Sequence, residues 1–170
     1  MKNERNNYAF IDGANLHQGV RNLKWNLDYA RFRVFLTEKY SVTKAYIFIG
    51  LIPKNKDLYT KLQEAGFTLI FKEVVYDGKG NPKGNCDADL VLKAMEDTYE
   101  NVFQKAVIVS SDGDYSSLVK FLLGKDKLEV ILSPALAGRC SILLKRINAP
   151  IAYINDQRSI LEYTKRKGPR

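Results

Sequence analysis

Acidic residues stand at three junctions of this chain, each at a point where a helix is expected to begin. The three segments are Phe10-Ile11-Asp12-Gly13-Ala14-Asn15, Cys86-Asp87-Ala88-Asp89-Leu90 and Val109-Ser110-Ser111-Asp112-Gly113-Asp114-Tyr115. The first and third follow apolar, strand-like runs, and in an open α/β sheet such junctions meet where the strands end and ligands bind. Carboxylates that converge there repel one another unless a hard cation such as Mg²⁺ or Mn²⁺ neutralises them. The pattern therefore predicts a divalent-metal site.

The acids at the strand ends are expected to point out of the sheet edge. Asp12 ends the first strand, although its carboxylate could instead cap the short helix that follows. Asn15 could orient a water molecule or a phosphate oxygen, or cap the turn. Asp112 leaves its strand toward the site, whereas Asp114 could either reach the site or cap the helix that begins at Tyr115. Three acidic junctions at one sheet edge are hard to explain by capping alone.

The middle junction opens an amphipathic helix. Asp87 precedes the apolar residues Leu90 and Val91 by three and four positions, so it lies on the face that docks against the sheet. Asp89 lies about 200° around the helix from Asp87 and could pair with Lys93 at i+4. Helical geometry thus predicts Asp87 as a site residue and Asp89 as an accessory one.

The rest of the chain is basic. Its formal net charge is +8 and its pI is about 9.4, which favours a polyanionic partner, nucleic acid above all. An acidic, metal-binding spot on a basic body suggests chemistry on a phosphodiester. Lys79 and Lys83 lie in the turn-rich stretch 77–84, which is either a mobile surface loop or a flap that touches substrate phosphates.

Several classes of protein are disfavoured. The chain has neither GxxxxGK[ST] nor GxGxxG, the phosphate-binding patterns of P-loop NTPases and dinucleotide enzymes. Two distant cysteines and a single histidine, His17, suggest neither a structural zinc site nor a disulfide framework. The polar start and the lack of an apolar run near the roughly 20 residues of a membrane span predict a cytoplasmic protein without membrane association.

Strand-like and helix-like segments alternate along the 170 residues. The predicted strands are 8–12, 45–50, 68–72, 106–110, 128–132 and 150–154. The predicted helices are 15–20, 27–40, 54–65, 88–99, 115–123 and 138–147. This alternation predicts βαβ units and therefore an α/β fold whose central, mostly parallel sheet is covered on both faces.

Three motifs resemble those of the NYN domain, a branch of the PIN-like nuclease superfamily, and especially of its bacterial LabA-like members. They are Phe-Ile-Asp-Gly-Ala-Asn-Leu at 10–16, Lys-Gly-Asn-Cys-Asp-Ala-Asp-Leu at 83–90 and Val-Ser-Ser-Asp-Gly-Asp-Tyr-Ser-Ser-Leu at 109–118. The resemblance covers residues 8–155, between a polar N-terminal arm at 1–7 and a C-terminal extension with a basic tail at 156–170. It implies a PIN-like three-layer α/β/α sandwich.

The resemblance also implies a metal-dependent ribonuclease site. Asp12, Asp87 and Asp112 match the core acidic positions of the family, and Asp114 matches a frequent fourth. Asn15 matches the asparagine that follows the first aspartate. Ser110 matches the small polar residue before the third acid, and Lys83-Gly84 matches a Lys-Gly that often precedes the second acid. The chain departs from the family pattern at Asn85-Cys86, which replaces the usual hydrophobic residue before the second acid.

The resulting hypothesis is a metal-dependent endoribonuclease. The aspartates would hold one or two Mg²⁺ or Mn²⁺ ions, Asn15 would position water or phosphate, and Lys79 and Lys83 would bind flanking phosphates of RNA. The alternatives are an RNA-binding regulatory protein with a weak or vestigial site, a metal-dependent DNA nuclease, and a protein partner in an RNA-processing or toxin–antitoxin assembly. A homodimer is a further expectation.

Overall fold

A computed structural model describes residues 4–165 of the chain. Its strands are β1 (Asn7–Asp12), β2 (Val42–Leu51), β3 (Thr68–Glu73), β4 (Val75–Tyr76), β5 (Pro82–Lys83), β6 (Ala106–Val109), β7 (Leu128–Ser133) and β8 (Ile151–Tyr153). Its α-helices are α1 (Gly13–Asn22), α2 (Tyr29–Tyr40), α3 (Lys56–Glu64), α4 (Asp87–Tyr99), α5 (Ser116–Gly124), α6 (Ile142–Lys145) and α7 (Arg158–Leu161). Short 3₁₀ turns span Pro53–Asn55, Gly113–Tyr115 and Ile154–Gln157.

Six strands form one parallel sheet in the order β3-β2-β1-β6-β7-β8, and β4 pairs with β5 in a separate antiparallel hairpin. The strand order reverses at β1, because the chain first builds outward to β3 and then returns to place β6 on the other side of β1. Ligands of open α/β sheets bind outside the carboxyl ends of the strands at such a reversal. Asp12 ends β1 and Val109 ends β6, so two of the acidic junctions lie at this point.

Helices cover both faces of the sheet. Along β1, Ile11 belongs to a core that contains Phe32 of α2, whereas Phe10 belongs to a second core that contains Leu90 of α4. The first core also holds buried residues of α1, α3 and α7, and the second holds those of α5 and α6. Successive side chains of a strand point to opposite faces, which accounts for the two cores. The predicted three-layer α/β/α architecture with a parallel sheet is confirmed.

All six predicted strands are present, with ends that differ by a few residues. The hairpin of β4 and β5 and the helix α7 were not predicted. The helix predicted at 138–147 is wrong in extent, because Ser141 caps it: the Leu143 N–H donates to Ser141 Oγ at 3.2 Å, and the helix covers only Ile142–Lys145. The preceding N–H groups of Arg139 and Cys140 donate to the Leu136 carbonyl oxygen and form a turn instead.

The ends of the described chain pack onto the domain. Asn7 already belongs to β1 and is buried, and its Nδ2 donates to the Tyr40 carbonyl oxygen at 2.7 Å. Leu161 of α7 is fully buried, and its carbonyl oxygen accepts from the Asp28 N–H at 2.8 Å. The domain boundaries stay predictions, and most of the predicted basic tail, 166–170, lies outside the described residues. Within residues 4–165, no helix is long and apolar enough to cross a membrane.

Candidate metal centre

Asp12 is fixed at the junction of β1 and α1. Its Oδ1 accepts the Asn15 N–H at 3.0 Å, so the residue caps α1 as well as facing the sheet edge, and it is only 6% exposed. The turn is tight because residue 13 has no side chain: a Cβ on Gly13 would lie 2.7 Å from the Phe48 carbonyl oxygen of β2. Both interpretations of Asp12 drawn from the sequence therefore apply together.

Asp112 lies just beyond β6, in a turn that side chains hold in place. The buried Ser110 Oγ accepts the Asp112 N–H at 3.1 Å, and Asp112 Oδ1 accepts the Asp114 N–H at 2.9 Å. A Cβ on Gly113 would lie 2.3 Å from Ser141 Oγ, so glycine lets this turn pack closely against the residue that precedes α6. The turn thereby directs one Asp112 oxygen toward the other acids.

Asp87 is the first residue of α4 and comes from the segment that follows the hairpin. Asn85 holds it through two contacts: Asn85 Oδ1 accepts the Asp87 N–H at 2.7 Å, and Asn85 Nδ2 donates to Asp87 Oδ2 at 3.1 Å. α4 packs against β1 through Leu90, so its first turn reaches the end of that strand. Asn85, which departs from the family pattern, therefore orients the second acid.

Asp12, Asp87 and Asp112 form an acidic trio. Each offers one carboxylate oxygen, and these three oxygens lie within 4.8 Å of one another. Two ligands of one ion are separated by at most twice the metal–oxygen distance, about 4.2 Å for Mg²⁺ and about 5 Å for Ca²⁺. Hard carboxylate oxygens suit such ions, and only a small closing movement is needed for the smaller one. The trio therefore fits a divalent cation.

Tyr115 joins two members of the trio. Its buried hydroxyl lies 2.7 Å from Asp87 Oδ1 and 3.1 Å from Asp12 Oδ2, so the two carboxylates share one proton donor. Burial, followed by the charge of Asp12 and the hydrogen bond with Asp87, raises the pKa of Tyr115 far above its ordinary value. The hydroxyl consequently keeps its proton and holds the two acids at a fixed separation.

The pKa of Asp12 is raised above its ordinary value, chiefly by burial. The hydrogen bonds from Asn15 and Tyr115 lower this pKa in part, and the charges of Asp87 and Asp112 raise it further. A cation in the trio would remove this repulsion. Cys86 lines the same cleft, and burial with the nearby Asp12 charge raises its pKa to about 11. Its sulfur is therefore a neutral thiol near pH 7 in the metal-free protein, and the side chains that geometry brings together as possible ligands are the three carboxylates.

A family model, described as the NYN domain, matches residues 8–143. The chain belongs to the NYN domain family. The NYN family is part of the PIN-like superfamily, so the chain belongs to that superfamily as well. Members of the NYN family are generally hydrolytic nucleases. No curated protein matches the chain.

The fold also resembles that of a solved protein. This is a protein of unknown function from Vibrio parahaemolyticus, whose crystal structure aligns with a TM-score of 0.76 at 21% sequence identity. The match covers 95% of this chain and 98% of that chain. At this identity the likeness supports the fold and carries no statement about activity.

Asn15 links two segments that form the site of the NYN domain. Its Oδ1 accepts from the Ser111 N–H at 2.9 Å and from Ser111 Oγ at 3.1 Å, which links α1 to the segment after β6. Within residues 4–165 its Nδ2 donates to no protein group, so this amide can still donate toward the cleft. Asn15 lines the cleft together with the trio.

Other predicted site residues lie outside the trio. Asp114 is exposed, and its carboxylate makes no hydrogen bond within the described chain, so its metal role stays a prediction. The alternative pairing of Asp89 with Lys93 is wrong: Lys93 pairs with the buried Asp97 at 2.8 Å, and Asp89 Oδ2 lies 3.3 Å from Lys72 Nζ. The accessory role of Asp89 stays a prediction.

The two predicted phosphate-binding lysines belong to the hairpin of the NYN domain. Lys83 lies on β5 and Lys79 in the turn between β4 and β5, and both are exposed. Asp77 fixes this turn by accepting the N–H groups of Lys79 and Asn81, each at 2.9 Å. Gly84, the residue after Lys83, lines the cleft of the trio, so the hairpin borders the site on the β2 side. The binding roles of both lysines stay predictions.

Sequence reasoning missed Tyr115 and Asn85. An aromatic residue at the start of an apolar helix is typical of core packing, so nothing local marks the hydroxyl of Tyr115 as a site group. The available signal was its position three residues after Asp112, since helical side chains point back toward the preceding turn. For Asn85 the signal was its spacing, because asparagine two residues before a helix start commonly accepts a backbone N–H there.

Proposed function

We propose that this NYN domain is a metal-dependent endoribonuclease that hydrolyses RNA phosphodiester bonds. The observation that carries the proposal is the acidic trio, in which three separate segments bring carboxylates to the point where the strand order reverses. Family membership supports nuclease chemistry, and the net charge of +8 supports a polyanionic substrate.

Each residue of the site has a definite task in this proposal. Asp12, Asp87 and Asp112 would hold Mg²⁺ or Mn²⁺. When bound, the ion would supply charge neutralisation at the scissile phosphate and activation of water. Tyr115 keeps two of the carboxylates apart and oriented, and the Asn15 amide donates a hydrogen bond toward water or a phosphate oxygen.

The proposal needs no side-chain nucleophile. His17, the one histidine of the chain, is exposed on α1 and makes no side-chain hydrogen bond within residues 4–165. Serine and cysteine near the trio have no histidine beside them to act as a base, and Cys86 remains protonated. Hydrolysis by water is therefore the reaction that these side chains favour.

The test is cleavage of an end-labelled single-stranded RNA, and of a DNA of the same sequence, in Mg²⁺ or Mn²⁺. Wild type should cut, and cutting should stop with EDTA, with Asp12→Asn and with Asp112→Asn. Asp57→Asn, an exposed acid on α3, provides the matched control and should cut normally. The ratio of RNA to DNA cleavage identifies the substrate.

Two results would overturn the proposal. Preferential cutting of DNA would make the protein a metal-dependent DNA nuclease. Folded, metal-loaded protein that binds RNA but cuts neither substrate would favour the RNA-binding regulator instead, and in that case Asp112→Asn should leave binding intact.

A further inference from the structure

A second cleft begins where the cleft of the trio ends. It has a volume of about 630 Å³, and Asn15 lines both clefts. One wall is α1 with the residues just beyond it, and the other is the segment between β7 and α6. We call it the basic groove, and its lining residues are Asn15, Gln18, Gly19, Arg21, Asn22, Leu23, Lys24, Ser111, Ala135, Leu136 and Arg139.

The groove carries three positive charges and no negative one. Arg21, Lys24 and Arg139 are all exposed, and no acidic residue lines the groove. Within residues 4–165, none of the three side chains forms a salt bridge or a hydrogen bond with protein, whereas Arg5, Arg31 and Arg158 each pair with an acid. Walls of low dielectric concentrate such a field inside the cleft, so the groove attracts anions more strongly than a convex surface would.

Helix electrostatics alone do not account for this arrangement. Arg21 lies in the last turn of α1, where a cation is favoured by the helix dipole in any case. Lys24 and Arg139 lie outside that helix, and Arg139 comes from the opposite wall, more than a hundred residues away in sequence. Two walls that converge from distant parts of the chain thus present the same charge to one cleft.

The shape of the groove is set by backbone packing. A Cβ on Gly19 would lie 2.7 Å from Pro134 Cβ and 2.9 Å from the Pro134 carbonyl oxygen, so α1 approaches the opposite wall at a residue without a side chain. Ser133 Oγ donates to the Ala135 carbonyl oxygen at 2.8 Å and accepts the Ala135 N–H at 3.2 Å, which fixes the start of that wall. The Ser111 carbonyl oxygen accepts the Ser141 N–H at 3.1 Å near its other end.

We propose that the basic groove holds the sugar–phosphate backbone of single-stranded nucleic acid on the β7 side of the trio. Arg21, Lys24 and Arg139 bind consecutive phosphates, and Asn15 marks the point where the chain passes into the metal site. This inference rests on the proposed nuclease function. It differs from the expectation for Lys79 and Lys83, which border the site on the β2 side. A chain in contact with both would cross the sheet edge between them.

A single strand is the occupant that this geometry favours. The cations line both walls of a cleft, so a phosphate backbone that lies along the cleft can contact cations from both walls. Positively charged grooves of this kind follow one backbone without reading sequence. Apolar lining from Leu23 and Leu136 offers contact area for sugars or bases beside the phosphates.

The experiment measures binding separately from cleavage. The Asp12→Asn protein binds a fluorescein-labelled single-stranded RNA, followed by anisotropy over a series of salt concentrations. In that background a groove variant carries Arg21→Gln, Lys24→Gln and Arg139→Gln. A control variant carries Lys56→Gln, Lys61→Gln and Lys120→Gln, which removes the same net charge from exposed positions on α3 and α5.

The groove variant should lose about tenfold or more in affinity at low salt, and its slope of log K against log salt should become shallower by about 2, since each single-strand phosphate contact contributes about 0.7. The control should keep the slope of its parent. Equal losses in the two variants, or no loss in either, would overturn the inference. Tighter, groove-dependent binding of duplex RNA would also overturn the assignment to a single strand.

The outcomes separate this inference from the proposed function. Groove-dependent binding without cleavage by wild type would leave the groove standing and reject the nuclease. Metal-dependent cleavage that is unaffected by the three groove changes would reject the groove alone. Circular dichroism and thermal melting of both triple variants check that each protein is folded.

Discussion

Removing one charge from the acidic trio should stabilise the metal-free protein. Asp12 is the most buried of the three acids, and burial together with the neighbouring charges of Asp87 and Asp112 raises its pKa. Asp12→Asn keeps an acceptor for the Asn15 N–H and gives Tyr115 an amide partner, so the variant removes the charge and little else. We therefore expect it to have a higher free energy of unfolding than wild type when no divalent ion is present.

The magnitude follows from the separation of the carboxylates. The three oxygens lie within 4.8 Å of one another, and two unit charges at about that distance repel by about 3.5 kcal/mol at an effective dielectric constant of about 20. Water screens the partly exposed Asp87 and Asp112, and the hydrogen bond from Tyr115 weakens, so a net gain of about 1–3 kcal/mol remains. For a chain of 170 residues this corresponds to about 2–12 °C in Tm.

Urea unfolding and thermal melting in EDTA measure the effect. Asp57→Asn is the control: it removes an exposed acid from the first turn of α3, where a negative charge favours the helix by about 0.3–1 kcal/mol. The control should therefore shift stability slightly downward. Mg²⁺ or Mn²⁺ should then stabilise wild type and the control but have much less effect on Asp12→Asn, because ligand binding to the native state raises its stability.

The pH dependence gives an independent check of the sign. A raised pKa means that folded Asp12 holds its proton more tightly than the unfolded chain does. Wild type should lose stability relative to Asp12→Asn as pH rises from the ordinary value of 3.8 through the raised folded value. If metal-free Asp12→Asn were no more stable than wild type at pH 7, with an equal m-value, the trio would not hold uncompensated repulsion and the reasoning would be refuted.

Three further substitutions test individual contacts of the domain. Tyr115→Phe removes the donor that two carboxylates share and should cost about 1.5–3 kcal/mol in urea unfolding. Lys93→Met removes the ion-pair partner of the buried Asp97 carboxylate, one oxygen of which already lacks a partner among the described residues. We expect the free energy of unfolding in urea to fall by about 3 kcal/mol. Adding Asp97→Asn should restore part of this loss. Gly19→Ala should lower the free energy of unfolding by about 1 kcal/mol, because the close contact with Pro134 outweighs the better helix propensity of alanine. The same variant should bind RNA more weakly in the anisotropy assay.

The trio could be located from the sequence because local patterns determine it. Apolar runs identify β1 and β6, and a parallel sheet puts their carboxyl ends, with Asp12 and Asp112, at one edge. The observed strand order then makes β1 and β6 neighbours. Asp87 followed from helix geometry, which put it on the buried face of α4. The same reasoning could not tell whether Asp114 would join them, because a single turn decides where that side chain points.

The remaining features depend on packing between distant segments. Tyr115 meets its partners across 103 and 28 residues of sequence, so no local pattern reveals them. Asp89 pairs with Lys72 of β3, and nothing in the helix pattern of α4 indicates a partner on another element. The basic groove exists because Gly19 lets α1 approach Pro134, a contact between two segments that the sequence alone does not bring together.

If the trio binds metal and the basic groove binds nucleic acid as proposed, their positions require that the two ligands assist one another. Without a cation, three carboxylates meet any phosphate that leaves the groove at Asn15, and like charges repel it. A bound divalent ion changes the sign of that interaction while the groove stays positive. Thermodynamic linkage then requires that a polynucleotide strengthen metal binding by the factor by which metal strengthens polynucleotide binding. In the proposed function, the groove would hold RNA and the ion would be needed for chemistry, since different side chains would carry the two tasks.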